Sequence, residues 1–503
     1  MNQRKAGAIL SYLNIVVVIL AQFAYTPIML RILGQSEYGV YSLSHSIIAY
    51  LSLLNFGFTG SYLKFYSKYK ADDNQIGIKK LNAMYVIVFT IIAGLICVSG
   101  YAIIQNIEFI VGNKFTSQEI VLTKILMVIM TINMAVMMPN NAFCSFIFAH
   151  EKFVFGKGME LLRNIGNPLI CLPVLLLGYG SVGMSYVMLF ITAISLVLNI
   201  LYCKQKLQLG YLFNDIDWKV LKEIAEFSFY IFLWSIVDQL NWQVGKVILS
   251  NTSGSIAVAI FTVGTQFCMI FMIFSTAISG VFTPKIYALV YEDDASQKLT
   301  NLMIKVGRLQ FYIVFLIWIG FVLFGKQFMI LWAGEKYAEA YWVGVILMTP
   351  IVIALTQNVG IEMLRAYNKH QARTWWHFIV AVVNVFISYE LAKEYGIVGC
   401  AIGSCISTFV SSTLVSNYFY AYVIKLNIRE FFKELLGMLP AVLLVAVIGI
   451  VINNVIEIKK WTHLILVCAL FTIAYAIVMV EFAFNEYERN LLKQVKQKLL
   501  GTC

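Results

Sequence analysis

The feature that most constrains this chain is a succession of long apolar runs with very little between them. A helix that crosses a bilayer takes about 20 mostly apolar residues. Fourteen such runs lie near residues 7–30, 39–63, 82–104, 121–148, 161–178, 182–202, 227–249, 256–283, 306–325, 342–363, 374–390, 397–424, 435–453 and 462–484. The longest polar intervals, near 64–80, 203–224 and 285–305, are too short to form a soluble domain. Charged residues are only 13% of the chain, about half the share of an average soluble domain, and hydrophobic residues are 60%. Backbone polar groups in hydrocarbon must be satisfied within their own segment. The expected fold class is therefore all-α integral membrane, with about 14 transmembrane helices. The first run, 6–30, is too long for the apolar part of a signal peptide and has no small-residue cleavage site, so it reads as a retained span.

The charges orient the bundle. An even number of spans puts both termini on one side. Of the 37 Lys and Arg, 28 fall on that side, in Arg4, Lys5, the loops 64–80, 152–163, 204–222, 285–308, 365–373 and 425–433, and the tail 489–498. Nine fall on the other: Arg31, Lys114, Lys124, Lys246, Lys326, Lys336, Lys393, Lys459 and Lys460. Cytoplasmic loops are the Lys- and Arg-rich ones, so both termini are expected in the cytoplasm. This also accounts for the net charge of +11, which in a soluble chain would hint at nucleic acid. No nucleic-acid partner is expected. The nine cysteines form no CxxC pair and no His/Cys cluster, so neither a disulfide framework nor a zinc site is expected. No cofactor is implied.

The chain also repeats itself. Tyr179-Gly-Ser-Val-Gly183 between spans five and six returns as Tyr395-Gly-Ile-Val-Gly399 between spans eleven and twelve, an offset of 216. Ala149-His-Glu-Lys152 after span four returns as Ala366-Tyr-Asn-Lys369 after span ten, an offset of 217. The expected organisation is a six-helix lobe over 1–203, a second over 204–425 in the same orientation, and two added helices with a cytoplasmic tail over 426–503. Parallel repeats of this kind are a transporter signature, with the substrate path where the halves meet.

Enzymatic motifs are missing. There is no GxxxxGK[ST] loop, HExxH, GxSxG or EF-hand loop. Asp72-Asp73 and Glu292-Asp293-Asp294 lie in lysine-rich loops and read as solvated faces. A membrane-embedded polymerase or transferase would need a long outer loop with catalytic carboxylates, and the outer loops near 105–120 and 326–341 are short. A non-enzymatic transporter is expected.

Ionisable groups at membrane depth are costly and default to functional hypotheses. Asp238 lies mid-way along span seven, about 16 Å deep at the helical rise. The same helix carries Gln239, Asn241, Gln243 and Lys246, one broad polar arc that faces protein or water rather than lipid. Arg163, Arg308 and Arg365 lie near the inner ends of their spans. They either snorkel to the interface or form a basic vestibule for phosphates, which a guanidinium binds through two parallel hydrogen bonds. Glu160 and Glu362, three residues before Arg163 and Arg365, compete as ion-pair partners. Asn133, Asn140 and Asn141 in span four match Gln357 and Asn358 in span ten; such amides either join helices or bind sugar hydroxyls. His45, on span two, reads as a packing histidine or a proton carrier. Trp332, Trp342, Trp375, Trp376 and Trp461 sit at span ends as an aromatic belt.

The stretch Pro27-Ile-Met-Leu-Arg-Ile-Leu-Gly-Gln-Ser-Glu-Tyr-Gly-Val-Tyr41, Pro284-Lys285-Ile286 after span eight, and the paired Tyr-Gly-x-Val-Gly turns resemble polysaccharide repeat-unit flippases of the O-antigen and capsule type. These belong to the multidrug/oligosaccharidyl-lipid/polysaccharide exporter superfamily. The resemblance covers essentially the whole chain. It implies a two-lobed bundle in the bacterial cytoplasmic (inner) membrane with a cationic cavity. It also implies a flippase that moves undecaprenyl-diphosphate-linked oligosaccharide repeat units from the inner to the outer leaflet by alternating access. The implied partners are that lipid-linked oligosaccharide, membrane lipids, a coupling ion, and the polysaccharide polymerase and chain-length proteins. The candidate substrate-binding residues are Arg163, Asp238, Asn241, Lys246, Arg308, Arg365, Asn140 and Gln357. Many relatives carry an acid just before the basic residue late in span seven, where this chain has Gly245-Lys246. The rival readings are a multidrug or cation antiporter of the same superfamily, which predicts acids deep in spans one to six, and a peptidoglycan lipid-precursor flippase, which predicts deep basic residues in spans one and two.

Overall fold

The structure, a computed structural model, describes residues 3–213 and 218–499. The side chains of Arg4, Lys5, Lys493, Lys496 and Lys498, five of the basic groups counted above, lie outside the description. In chain order the helices are α1 (Gln3–Leu51), α2 (Phe58–Ala71), α3 (Gln75–Gln105), α4 (Ile107–Val111), α5 (Ser117–Ala149), α6 (Phe153–Leu176), α7 (Gly180–Gln205), α8 (Trp218–Trp242), α9 (Val244–Thr252) and α10 (Ser255–Leu289). They continue as α11 (Ala295–Ala333), α12 (Ala340–Thr356), α13 (Asn358–Ala366), α14 (His370–Phe409), α15 (Ser416–Tyr418), α16 (Ile428–Leu436), α17 (Leu439–Val455), α18 (Trp461–Phe482) and α19 (Glu486–Leu499). No strand occurs among the described residues. The protein is an all-helical, multi-pass membrane protein.

Eleven helical stretches are long and apolar enough to cross a membrane among the described residues, and two of them are too long for one crossing: Ile9–Ala71 has 63 residues and His370–Val423 has 54. At about 1.5 Å per residue either would run far beyond a hydrocarbon core of about 30 Å. Each contains a glycine outside the helical region, Gly34 (φ 73°) and Gly396 (φ 57°). A positive φ is costly for any residue with a Cβ, which explains glycine at these two turns. Gly34 lies between the first and second apolar runs, and Gly396 between the eleventh and twelfth.

Three expected spans differ from the sequence reading, because each is broken inside the apolar run. Span two is interrupted over 52–57, where a short 3-10 turn (Ser52–Asn55) is followed by left-handed Phe56 and Gly57. Span seven divides between α8 and α9 at Gln243, and span ten between α12 and α13 at Gln357. Ser52 at the first break donates to the Ala49 carbonyl at 2.6 Å, and irregular backbone at membrane depth is tolerated where protein or a water-filled space surrounds it.

The chain forms two compact units. The first comprises Met1–Thr262 with Ala381–Cys400. In it α1 packs on α5 and α6, and α5 also packs on α3 and α7. The second comprises Val263–Val380 with Ala401–Cys503. There α11 packs against α12, α16, α17 and α18, and Phe324 of α11 meets Phe471 of α18 edge-on at 5.4 Å. Span twelve of this unit contains two π-helical turns, Val410–Val415 and Phe419–Val423.

Candidate transport site

The stretch Pro27–Tyr41 builds a junction from which the first unit is organised. Glu37 accepts hydrogen bonds from the Ser181 backbone amide (2.6 Å) and the Ser181 hydroxyl (2.7 Å). It thus ties the first helix turn to the Tyr179–Gly183 turn. Ser36 donates to Glu119 at 2.6 Å. Glu119 is held in turn by a capping box with Thr116 and also accepts from the Ser255 hydroxyl at the start of α10. Gly39 lies so close to Ser255 that a Cβ there would meet the Ser255 carbonyl oxygen at 1.9 Å. Nearby, Asn251 at the end of α9 donates to the Ile110 carbonyl at 3.4 Å. The sequence shows this motif, but not that one carboxylate on each of two helices gathers the ends of four.

The broken seventh span carries the polar groups expected of it. Lys246 is half-buried on α9 and donates to the Gln243 side chain at 3.0 Å, across the break. His45, on span two, is exposed. Asn241 is half-buried between Asp238 and Lys246. Asp238 is exposed, accepts from the Trp242 side chain, and opens into a cavity of about 360 Å³ between residues 52–60 and 231–239. Tyr50 links the two walls above it, donating to the Gln239 carbonyl at 3.5 Å. Ser52, Asn55 and Thr59 of this cavity escaped sequence reasoning. The signal was the polar, glycine-bearing interruption Ser52-Leu-Leu-Asn-Phe-Gly-Phe-Thr-Gly60 within an apolar run.

The other candidates are placed differently. Arg308 is 4% exposed and spends its donors on protein. Its Nε and Nη2 bind the two Glu488 oxygens at 2.8 and 2.9 Å, its Nη2 binds the Ala483 carbonyl at 2.7 Å, and its Nη1 reaches Glu434 at 3.4 Å. A guanidinium that leaves the inner end of a span has no carboxylate in its own helix turn here, and the C-terminal helix supplies one. The vestibule reading of Arg308 gives way to this anchoring role. Burial alone would raise the Glu488 carboxyl, but its hydrogen bonds with Arg308 and the Asn485 amide hold it below the ordinary glutamate range. Arg365 is exposed and pairs with Glu362 at 2.6 Å, as its spacing predicts. Arg163 is half-buried, and Glu160 pairs instead with Lys157 at 2.8 Å.

Asn140 and Gln357 join helices instead of lining a cavity. Asn140 is fully buried and accepts from Asn199 at 2.8 Å; Gln357 is 1% exposed and donates to Asn417 at 2.9 Å. In sequence the second pair is displaced from the first by 217 and 218 residues, the offset at which the turn motifs recur. Each unit thus closes the fourth span of its half onto the sixth with a pair of side-chain amides, the sixth-span residue donating in the first and the fourth-span residue in the second.

A multi-span helical bundle whose spans are broken at polar residues has the architecture of a membrane transporter. Solved structures share that fold. A lipid II flippase, MurJ, in an inward closed conformation aligns over 97% of this chain and 99% of its own with a TM-score of 0.74 at 14% identity. An inward-facing multidrug resistance transporter of the MATE family aligns over 83% of this chain and 96% of its own, with a TM-score of 0.67 at 14% identity.

Residues 5–290, more than half of the chain, match the model of the polysaccharide biosynthesis protein family, and the chain belongs to that family. Two curated relatives agree. The capsular polysaccharide biosynthesis protein CapF of Staphylococcus aureus is 26% identical over 208 residues, 40% of this chain and 50% of its own length. An uncharacterized membrane protein from the cps region of Klebsiella pneumoniae is 25% identical over 244 residues, 47% of this chain and 50% of its own length. The chain spans about half the length of the curated relatives it matches.

Proposed function

We propose that this protein is a flippase that carries undecaprenyl-diphosphate-linked oligosaccharide repeat units from the inner to the outer leaflet of the bacterial cytoplasmic membrane. Fourteen spans and cytoplasmic termini complete this reading. The lobes 1–203 and 204–425 alternate access around the substrate, and the product at the outer face is consumed by a polymerase and its chain-length partners. Chemistry at the substrate is left to other proteins. The observation that carries the proposal is the broken seventh span, which sets a cation, Lys246, half-buried toward the outer end and joined to the Gln243 side chain across the break; a partly buried cation is a natural partner for an anion. A lipid diphosphate is such an anion.

Deleting the gene tests this. Single lipid-linked repeat units are expected to accumulate on the cytoplasmic side while surface polymer disappears, read by mass spectrometry of the lipid-linked pool. Complementation with Lys246→Ala is expected to restore at most about a tenth of the polymer, the loss of one charge-assisted hydrogen bond, and Lys246→Arg more. Unchanged pools in the deletion strain would overturn the proposal. Accumulation of the peptidoglycan lipid precursor instead would reassign the cargo within the same fold.

A further inference from the structure

The cavity beside Asp238 has a chemistry opposite to that of a phosphate site. Its lining carries a carboxylate, Asp238, and no basic side chain. Ser52 and Ser235, also in the lining, give their hydroxyl protons to the Ala49 and Ile231 carbonyls, at 2.6 and 2.9 Å, which leaves their oxygens able to accept. The apolar part of the wall is aromatic, with Phe56 and Phe232 in contact at 4.9 Å. A diphosphate brings only acceptors and negative charge, and the Asp238 carboxylate repels it. A sugar ring brings the complement: hydroxyl donors around its edge and apolar C–H faces for the rings. The volume, about 360 Å³, falls at the small end of ligand pockets, about 300–1,000 Å³, and suits a monosaccharide.

We infer that this cavity is a sugar subsite, which reads one hydroxyl-rich ring of the cargo separately from its diphosphate. The inference rests on the proposed function. Lys246 stands eight residues further along the same span, about 12 Å at the helical rise, with the Gln243 break between. The two ends of a lipid-linked glycan are thereby met by opposite charges on one broken helix.

The test uses the full-length protein in detergent and two probes. One is undecaprenyl diphosphate without sugar; the other is the lipid-linked repeat-unit pool extracted from a strain lacking the gene. Wild type is expected to prefer the glycan-bearing lipid by about tenfold or more, the contribution of one hydrogen bond to a charged group. Asp238→Asn, which keeps the shape, and Ser235→Phe, which fills the space, are each expected to bring that ratio close to one. Equal affinity of wild type for both lipids, or loss of both affinities in step in the variants, overturns the subsite alone. Binding of neither lipid by wild type overturns the proposed function and the subsite with it. Binding of an organic cation such as ethidium that Asp238→Asn abolishes, with the lipid ratio unmoved, makes the cavity a cation site and overturns the inference.

Discussion

Arg308→Met is expected to destabilise the protein by about 3–5 kcal/mol, the usual cost of leaving one member of a buried ion pair alone. Glu488 is 3% exposed and accepts from Arg308, from Tyr312 at 2.8 Å and from the Asn485 amide at 2.9 Å. Removal of the guanidinium strands a carboxylate among groups that still hold it in place. The double variant Arg308→Met, Glu488→Leu is expected to recover most of the loss, because well-packed apolar pairs replace buried ion pairs at little cost. Thermal unfolding in detergent, followed by tryptophan fluorescence, measures both. The pH dependence follows from the lowered Glu488 carboxyl. A depressed folded-state value contributes stability that is fully present above the unfolded value, about 4.3, and is lost as pH falls through the folded one. The gap between wild type and Glu488→Gln is therefore expected to stay constant from pH 7 to about 5 and to close only below about 4. A gap that closes near neutrality would remove Arg308 as the controlling partner.

The second large effect is expected at Gly39. The Ser255 carbonyl that a Cβ would strike is backbone, so no rotamer change relieves the contact. In Gly39→Ala, α1 and the start of α10 must separate by about an ångström or more, and overpacking of this kind costs about 1–3 kcal/mol. In the proposed alternating-access cycle, the cost falls on the conformation in which this end is shut. At the upper figure that conformation becomes about a hundredfold rarer. Gly39→Ala is therefore expected to reach the membrane in normal amount and to lose most of its surface polymer. Full polymer from an abundant Gly39→Ala protein would show that the junction does not have to close.

The spans, their glycine turns and the charge on span seven were legible because each is a local pattern. Gly34 and Gly396 interrupt apolar runs that bilayer thickness already limits. Asp238 stands out because so few charges share its depth, and Lys246 because it ends the same polar arc. What stayed hidden was non-local. Nothing near Arg308 in sequence announces a partner 180 residues away. The matched amides Asn140 and Gln357 looked equally suited to a glycan or to a neighbouring helix, and only the positions of Asn199 and Asn417 decide between these. The breaks at 52–57 and Gln243 were hidden for another reason. Gln, Ser and Asn inside an apolar run are compatible with a straight span, and whether the helix divides there depends on what the freed backbone groups meet.

The Glu37–Ser181 bond also bears on how the protein is made. Its two ends are 144 residues apart. At the usual pace of translation, about 5–20 residues per second, the ribosome delivers Ser181 about 7–29 s after Glu37. Through that interval the first hairpin is in the membrane with its carboxylate uncapped by the turn it will serve. An insertion arrested before the turn between spans five and six therefore leaves Ser36 on Glu119 as the earlier tie and the Glu37 carboxylate without its own.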